Sequence, residues 1–154
     1  MNPDLYLSGF VQRWHTHPTL ARLGQTLAHH QWGVATLIMS LHGRPSVRLL
    51  RAALWHDVGE IVYGDVPYSA KSGNPELAAL LSEAEELEEI RITGYKDYLS
   101  ADDRLWLAMC DRLEAYLYVK LVAPALLDSE DWVECLAHIK DMAQGLGVLD
   151  DLPI

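Results

Sequence analysis

Three short stretches place ionisable residues where a helix ordinarily buries leucine or valine, and a fourth adds an acid in a loop. "AHHQ" spans 28–31, "LWHDVGE" spans 54–60, "GDVP" follows at 64–67, and "CDRLEAYLY" runs from Cys110. On a helical projection His30 shares a stripe with Val34, Leu37, Ile38 and Leu41, while His29 points about 100° away toward Thr36 and Ser40. His56 lines up with Leu49, Ala53 and Glu60, and Asp57 sits beside Leu50, Leu54 and Ile61. Asp111 lies in a row with Leu107, Ala108, Ala115 and Tyr118, with Glu114 one turn on. Three segments therefore each aim a histidine or a carboxylate inward.

Taken singly, each has an ordinary explanation. An inward histidine is usually a hydrogen-bonded core residue, and a buried aspartate usually meets an arginine such as Arg51 or Arg112, or a helix cap. Together they are harder to explain, because each unpaired buried carboxylate costs several kcal/mol. A divalent cation meets that demand, and two histidines with two aspartates form a mixed nitrogen and oxygen set suited to Mn, Co, Fe, Ni or Zn. Spacing alone leaves both readings open.

The elements that must position these groups read as helices throughout. Helical periodicity runs over Leu20–His42 and stops at "HGRP"; a second run covers Ser46 to Tyr63 and ends at Gly64. "GDVPYSAKSGNP" reads as a loop. Asn74 and Pro75 start a helix to Ile92, Ser100 with Asp103 resembles a capping box opening a helix to Val122, and Ser129 to Gln144 is the last, closed by "GLG". No strand-like alternation persists and no repeat is present. The expectation is an all-α fold, one compact domain over 1–154 with five to seven helices on one core.

Composition narrows the function. The chain has 154 residues, half of them hydrophobic, which fits a globular domain and not a disordered one. A net charge of −10 disfavours a nucleic-acid polymer as partner. The acidic run "SEAEELEEIR" from Ser82 reads as a solvated helix face. With the basic residues scattered, a bound metal is the natural holder of a small anionic substrate. No apolar run suits a membrane span and "MNPDLYLSGF" carries no secretion signal, so a cytoplasmic location is expected. Cys110 and Cys135 read as buried free thiols.

These motifs resemble the H…HD…D signature of the HD-domain metal-dependent phosphohydrolases. Arg13–Trp14, "HDVGEIVYGDVP" at 56–67 and Lys71 narrow the resemblance to bacterial 5′-deoxynucleotidases and their phage-encoded relatives, which include dATP triphosphohydrolases. The likeness covers Arg13 to Lys120. It implies His30, His56, Asp57 and Asp111 as ligands of a divalent transition metal (Co, Mn, Zn, Ni or Fe), with Glu60 and Asp65 as the catalytic acids. It further implies Arg13, Trp14 and Lys71 as substrate-binding residues, Trp14 filling the space a 2′-hydroxyl needs. His29 stands where the family carries glutamate, and the chain is shorter than the bacterial enzymes at its C-terminal end.

The implied activity is hydrolysis of the 5′-phosphate of deoxynucleoside monophosphates. Release of triphosphate from a dNTP such as dATP is the alternative; a phosphodiesterase of signalling nucleotides and a non-enzymatic metal-stabilised binding module rank below it. The implied setting is a homo-oligomer acting on a small deoxynucleotide in the cytoplasm (the host's, if phage-encoded), with no polymer and no membrane.

Overall fold

A computed structural model describes residues 2–96 and 98–154. Its α-helices, in chain order, are α1 (Pro3–Leu7), α2 (Leu27–Leu41), α3 (Val47–Trp55), α4 (Glu60–Tyr63), α5 (Tyr68–Gly73), α6 (Pro75–Thr93), α7 (Ala101–Val122) and α8 (Glu130–Leu146), with short 3-10 turns between some of them. Among the described residues the only β-type pairing is an isolated bridge between Gln12 and Thr26. The all-α expectation holds. No helix among these residues is long and apolar enough to cross a membrane.

The chain forms two compact units, residues 1–31 with 55–97, and residues 32–54 with 98–154. In the first, the N-terminal segment lies along the start of α2: Leu27 donates its N–H to the Val11 carbonyl at 3.0 Å, and Gly9 faces Ala28. Leu20, Leu27, Val58 and Ile92 are buried in it. α6 is tied to α1 through the Arg91–Asp4 ion pair at 3.1 Å. In the second unit, Val34, Ile38, Leu49, Ala53, Trp106, Met109, Leu113 and Ile139 form the core of α2, α3, α7 and α8. Cys110 is buried in that core and its thiol is pushed up to about 12, first by burial and then by the charge of Asp111. It is a packing residue; Cys135 is half-buried.

The caps expected at Asn74 and Ser100 are in place. Asn74 Oδ1 accepts from the Leu77 N–H at 3.1 Å and Ser100 Oγ from the Asp103 N–H at 3.0 Å, each satisfying an otherwise orphaned donor. Asp102 and Asp103 near the start of α7 and Lys120 near its end complement the helix dipole.

Three expected boundaries differ. The run over 20–42 is two elements, a 3-10 turn at Leu20–Leu23 and then α2, whose start is capped by Thr26 Oγ1 accepting from His29 N–H. Leu20 and Leu27 are both fully buried, so inward periodicity is met without one continuous helix. The run over 46–63 breaks after Trp55. Val58 donates to Trp55 O and Glu60 to Asp57 O, both at 3.0 Å, so residues 56–59 form a tight turn with three-residue hydrogen bonds. In such a turn side chains three apart eclipse, which sets Glu60 over Asp57 and not over His56. Finally, part of "GDVPYSAKSGNP" is helical, because Pro67 at the N-cap of α5 ends the extended segment and starts a turn. The acidic run on α6 is only partly solvated: Glu85 pairs with Lys71 and Glu88 with Arg91.

Candidate functional site

Within the first unit three predicted ligands converge. His30, fully buried on α2, places Nε2 3.6 Å from Asp57 Oδ2, and His56 Nε2 stands 3.2 Å from the same oxygen. The two imidazole rings lie 5.5 Å apart between centroids, and a ligand nitrogen from each falls within 4.8 Å of the other. His29 is exposed, as its position 100° round the helix requires. Ligands about 2.1 Å from a common ion stand roughly 3–3.5 Å from one another. The His–Asp separations and the mixed imidazole–carboxylate chemistry therefore fit a divalent transition metal. Asp111 belongs to the second unit, half-buried on α7 beside Cys110.

Glu60 opens α4 and is 6 % exposed, and its Oε2 has no hydrogen-bond partner among the described residues. Burial pushes its carboxyl up to about 9, the charges of Asp57, Asp65 and Glu85 add to that, and Arg13 pulls the other way. Without a cation beside it, this carboxyl keeps its proton at neutral pH. The same balance places Arg13, Asp57 and Asp65 in the electrostatic neighbourhood of Glu60.

Gly59 and Gly64 make this arrangement possible. A Cβ on Gly59 would lie 2.5 Å from the Glu85 carbonyl oxygen, so only glycine lets the 56–59 turn lie against α6. Gly64, at φ 75°, turns the chain out of α4 and into Asp65. Asp65 Oδ2 then accepts the Trp14 backbone N–H at 2.7 Å. Trp14 has φ 61°, a left-handed conformation that costs a bulky residue about 1–3 kcal/mol and persists only where its surroundings over-determine it. Asp65 is one restraint. The others are the His17 N–H bond to the Trp14 carbonyl at 2.7 Å and the indole bond from Trp14 Nε1 to Gln25 Oε1 at 2.6 Å. The Arg13 guanidinium stacks over the indole at 4.9 Å.

Lys71, on α5, is engaged with Glu85 Oε1 at 3.3 Å. Two residues of this neighbourhood escaped the sequence reading. Gln25 falls within the run read as helix from Leu20 to His42, off its inward stripe, whereas in the structure it lies in the link between the 3-10 turn at Leu20–Leu23 and α2. Glu85 was absorbed into the acidic face of α6; only its partnership with Lys71 and its contact with Gly59 separate it from its neighbours.

A family model described as 5′-deoxynucleotidase YfbR-like matches residues 9–122. The dATP triphosphohydrolase of Salmonella phage PMBT28 is 29% identical over 133 residues, covering 75% of this chain and 64% of the phage protein. The chain thus spans under two thirds of the length of that relative. Among solved structures, the cyanophage S-2L HD phosphohydrolase DatZ, bound to dA and one catalytic Zn2+ ion, matches with a TM-score of 0.68 and 24% identity, over 99% of this chain and 91% of that one. At that identity the likeness speaks for the fold. The family match covers most of the chain, including the His30, His56–Asp57 and Asp111 motifs and the Arg13–Trp14 pair, and the chain belongs to the YfbR-like 5′-deoxynucleotidase family.

Proposed function

We propose that this chain is a metal-dependent phosphohydrolase of small deoxynucleotides that removes the 5′-phosphate of deoxynucleoside monophosphates. The observation that carries the reading is the convergence of His30, His56 and Asp57 beside buried Glu60. A structural metal site needs no such acid, nor a pinned Arg–Trp pair next to it.

His30, His56 and Asp57 would hold the divalent ion, and Asp111 is the further ligand that the resemblance implies. A bound divalent ion there would supply positive charge for a phosphoryl oxygen and lower the pKa of a water. Glu60, buried beside Asp57, exchanges a proton with the attacking water or the leaving oxygen. Arg13 balances phosphate charge as the transition state spreads it. Trp14, pinned at its backbone by Asp65, presents its indole to the 2′ position of the sugar. Lys71 reaches phosphate by exchanging its Glu85 partner.

Release of triphosphate from dATP is the second reading, favoured by the phage relative. The partner is a small deoxynucleotide and not a polymer, and the enzyme acts as a cytoplasmic homo-oligomer. The test is product identification after incubating Co-, Mn- or Zn-loaded protein with matched deoxynucleoside monophosphates and triphosphates. Inorganic phosphate from the monophosphate supports the first reading, and intact triphosphate from dATP the second. Hydrolysis of a cyclic signalling nucleotide alone, or of nothing, overturns both.

A further inference from the structure

Gln25 is 1% exposed and gathers three bonds from the Arg13–Trp14 pair. Its Oε1 accepts from Trp14 Nε1 at 2.6 Å and from Arg13 Nη1 at 3.3 Å, and its backbone carbonyl accepts the Arg13 N–H at 2.9 Å. The two donor side chains also stack on each other. One carbonyl oxygen thus fixes both the ring that reads the sugar and the cation that meets phosphate. Two N–H donors on the same atom also fix which way round the amide lies, since its NH2 end cannot accept either bond. Thr26 follows directly, bridged to Gln12 and capping α2, so Gln25 is anchored to the helix that carries His30.

We infer that Gln25 is a positioning residue that sets sugar selectivity by locking the Trp14 indole and the Arg13 guanidinium in one register relative to His30. This rests on the reading of Arg13 and Trp14 as substrate-binding residues. Gln25 exerts the inferred role through the pair and not on the metal or the reacting atoms. Its removal acts through the pair: the indole gains freedom, a 2′-hydroxyl is admitted, and the guanidinium loses its fixed approach to phosphate.

The test compares wild type with Gln25→Ala and Gln25→Glu in metal-loaded protein. The first readout is the set of indole N–H resonances of the five tryptophans, with the Trp14 signal identified by Trp14→Phe. In Gln25→Ala that signal alone moves upfield, and its hydrogen exchanges with solvent roughly five- to tenfold faster, the scale of one lost hydrogen bond. The second readout is kcat/KM for a matched deoxy and ribo monophosphate pair, whose ratio falls by about threefold to tenfold in Gln25→Ala. Gln25→Glu keeps the acceptor and sets a carboxylate against Arg13. It therefore holds the Trp14 resonance and the sugar ratio, while KM rises for both sugars.

A Trp14 resonance and a sugar ratio both unmoved in Gln25→Ala overturn the inference, as does a ratio that collapses equally in Gln25→Glu. Should Gln25→Ala fail to fold, Gln25→Glu still decides through its split between KM and ratio. If wild type hydrolyses no nucleotide, the proposed activity fails, and the indole resonance alone judges the lock.

Discussion

Replacing Gly59 by alanine tests whether the turn that presents His56, Asp57 and Glu60 depends on close contact with α6. Gly59 has φ −62° and ψ −23°, an ordinary helical conformation that alanine adopts freely, so any penalty comes from packing alone. The new Cβ would lie 2.5 Å from the Glu85 carbonyl oxygen and 3.1 Å from both its carbonyl carbon and its Cα. These are backbone atoms inside α6 and cannot rotate aside, so the turn and the helix must separate by nearly an ångström. Overpacking of this kind costs about 1–3 kcal/mol, sometimes more, and alanine's smaller unfolded-state entropy offsets only about 0.4–1 of it. For a chain of this size each kcal/mol shifts Tm by about 2–4 °C, so a mid-range net loss of about 1.3 kcal/mol should lower the melting point of Gly59→Ala by roughly 3–5 °C, and the upper end by about 10 °C. Gly73→Ala is the control: nothing lies within 4 Å of its Cβ position, and it should melt at or slightly above wild type. Thermal melts followed by circular dichroism give both values. Turnover should fall further than stability in Gly59→Ala, because moving α6 displaces Glu85 and with it Lys71 and the surroundings of Glu60. A Gly59→Ala protein melting within a degree of wild type would refute the packing argument.

Three further outcomes follow. His30→Ala should lose bound metal by elemental analysis while His29→Ala retains it, and Asp57→Ala and Asp111→Ala should lose turnover with helical circular dichroism intact; equal metal loss in both histidine variants contradicts the assignment. Folded Glu60 holds its proton to about pH 9 against 4.5 for the ordinary carboxyl, so metal-free protein should lose stability as pH rises through that window. Glu60→Gln should flatten this dependence and cut turnover by about 10²-fold or more while metal stays bound; an unchanged pH profile of Tm removes the buried-acid argument. Wild type should prefer deoxy over ribo substrates by on the order of 10²-fold in kcat/KM, Trp14→Ala should narrow that preference, and Arg13→Ala should weaken both sugars about equally.

How far the sequence carried can be read residue by residue. His30 and His29 were distinguishable because burial on a regular helix follows its 100° step, and α2 is regular where they sit. The helix from Asn74 and the one from Ser100 were legible because their caps are chemical signatures. The break after Trp55 was not, since the apolar pattern of 46–63 continues through it; the cause is a contact between Gly59 and a helix some 25 residues away. Gln25 was invisible for a related reason. Its role comes from three bonds to residues twelve and eleven positions earlier, in a stretch whose apolar pattern reads as helix and which is not one. Periodicity reports which face is buried, and it does not report where a tight turn aims a side chain.

The most direct test of the central claim is product formation from a deoxynucleoside 5′-monophosphate by metal-stripped protein before and after adding back Co2+, Mn2+ or Zn2+, with Asp57→Ala assayed in parallel. The account predicts no phosphate release without metal, recovery on addition to wild type, and none in the variant. Equal hydrolysis with and without metal, or full metal binding with no turnover of any deoxynucleotide, would contradict it.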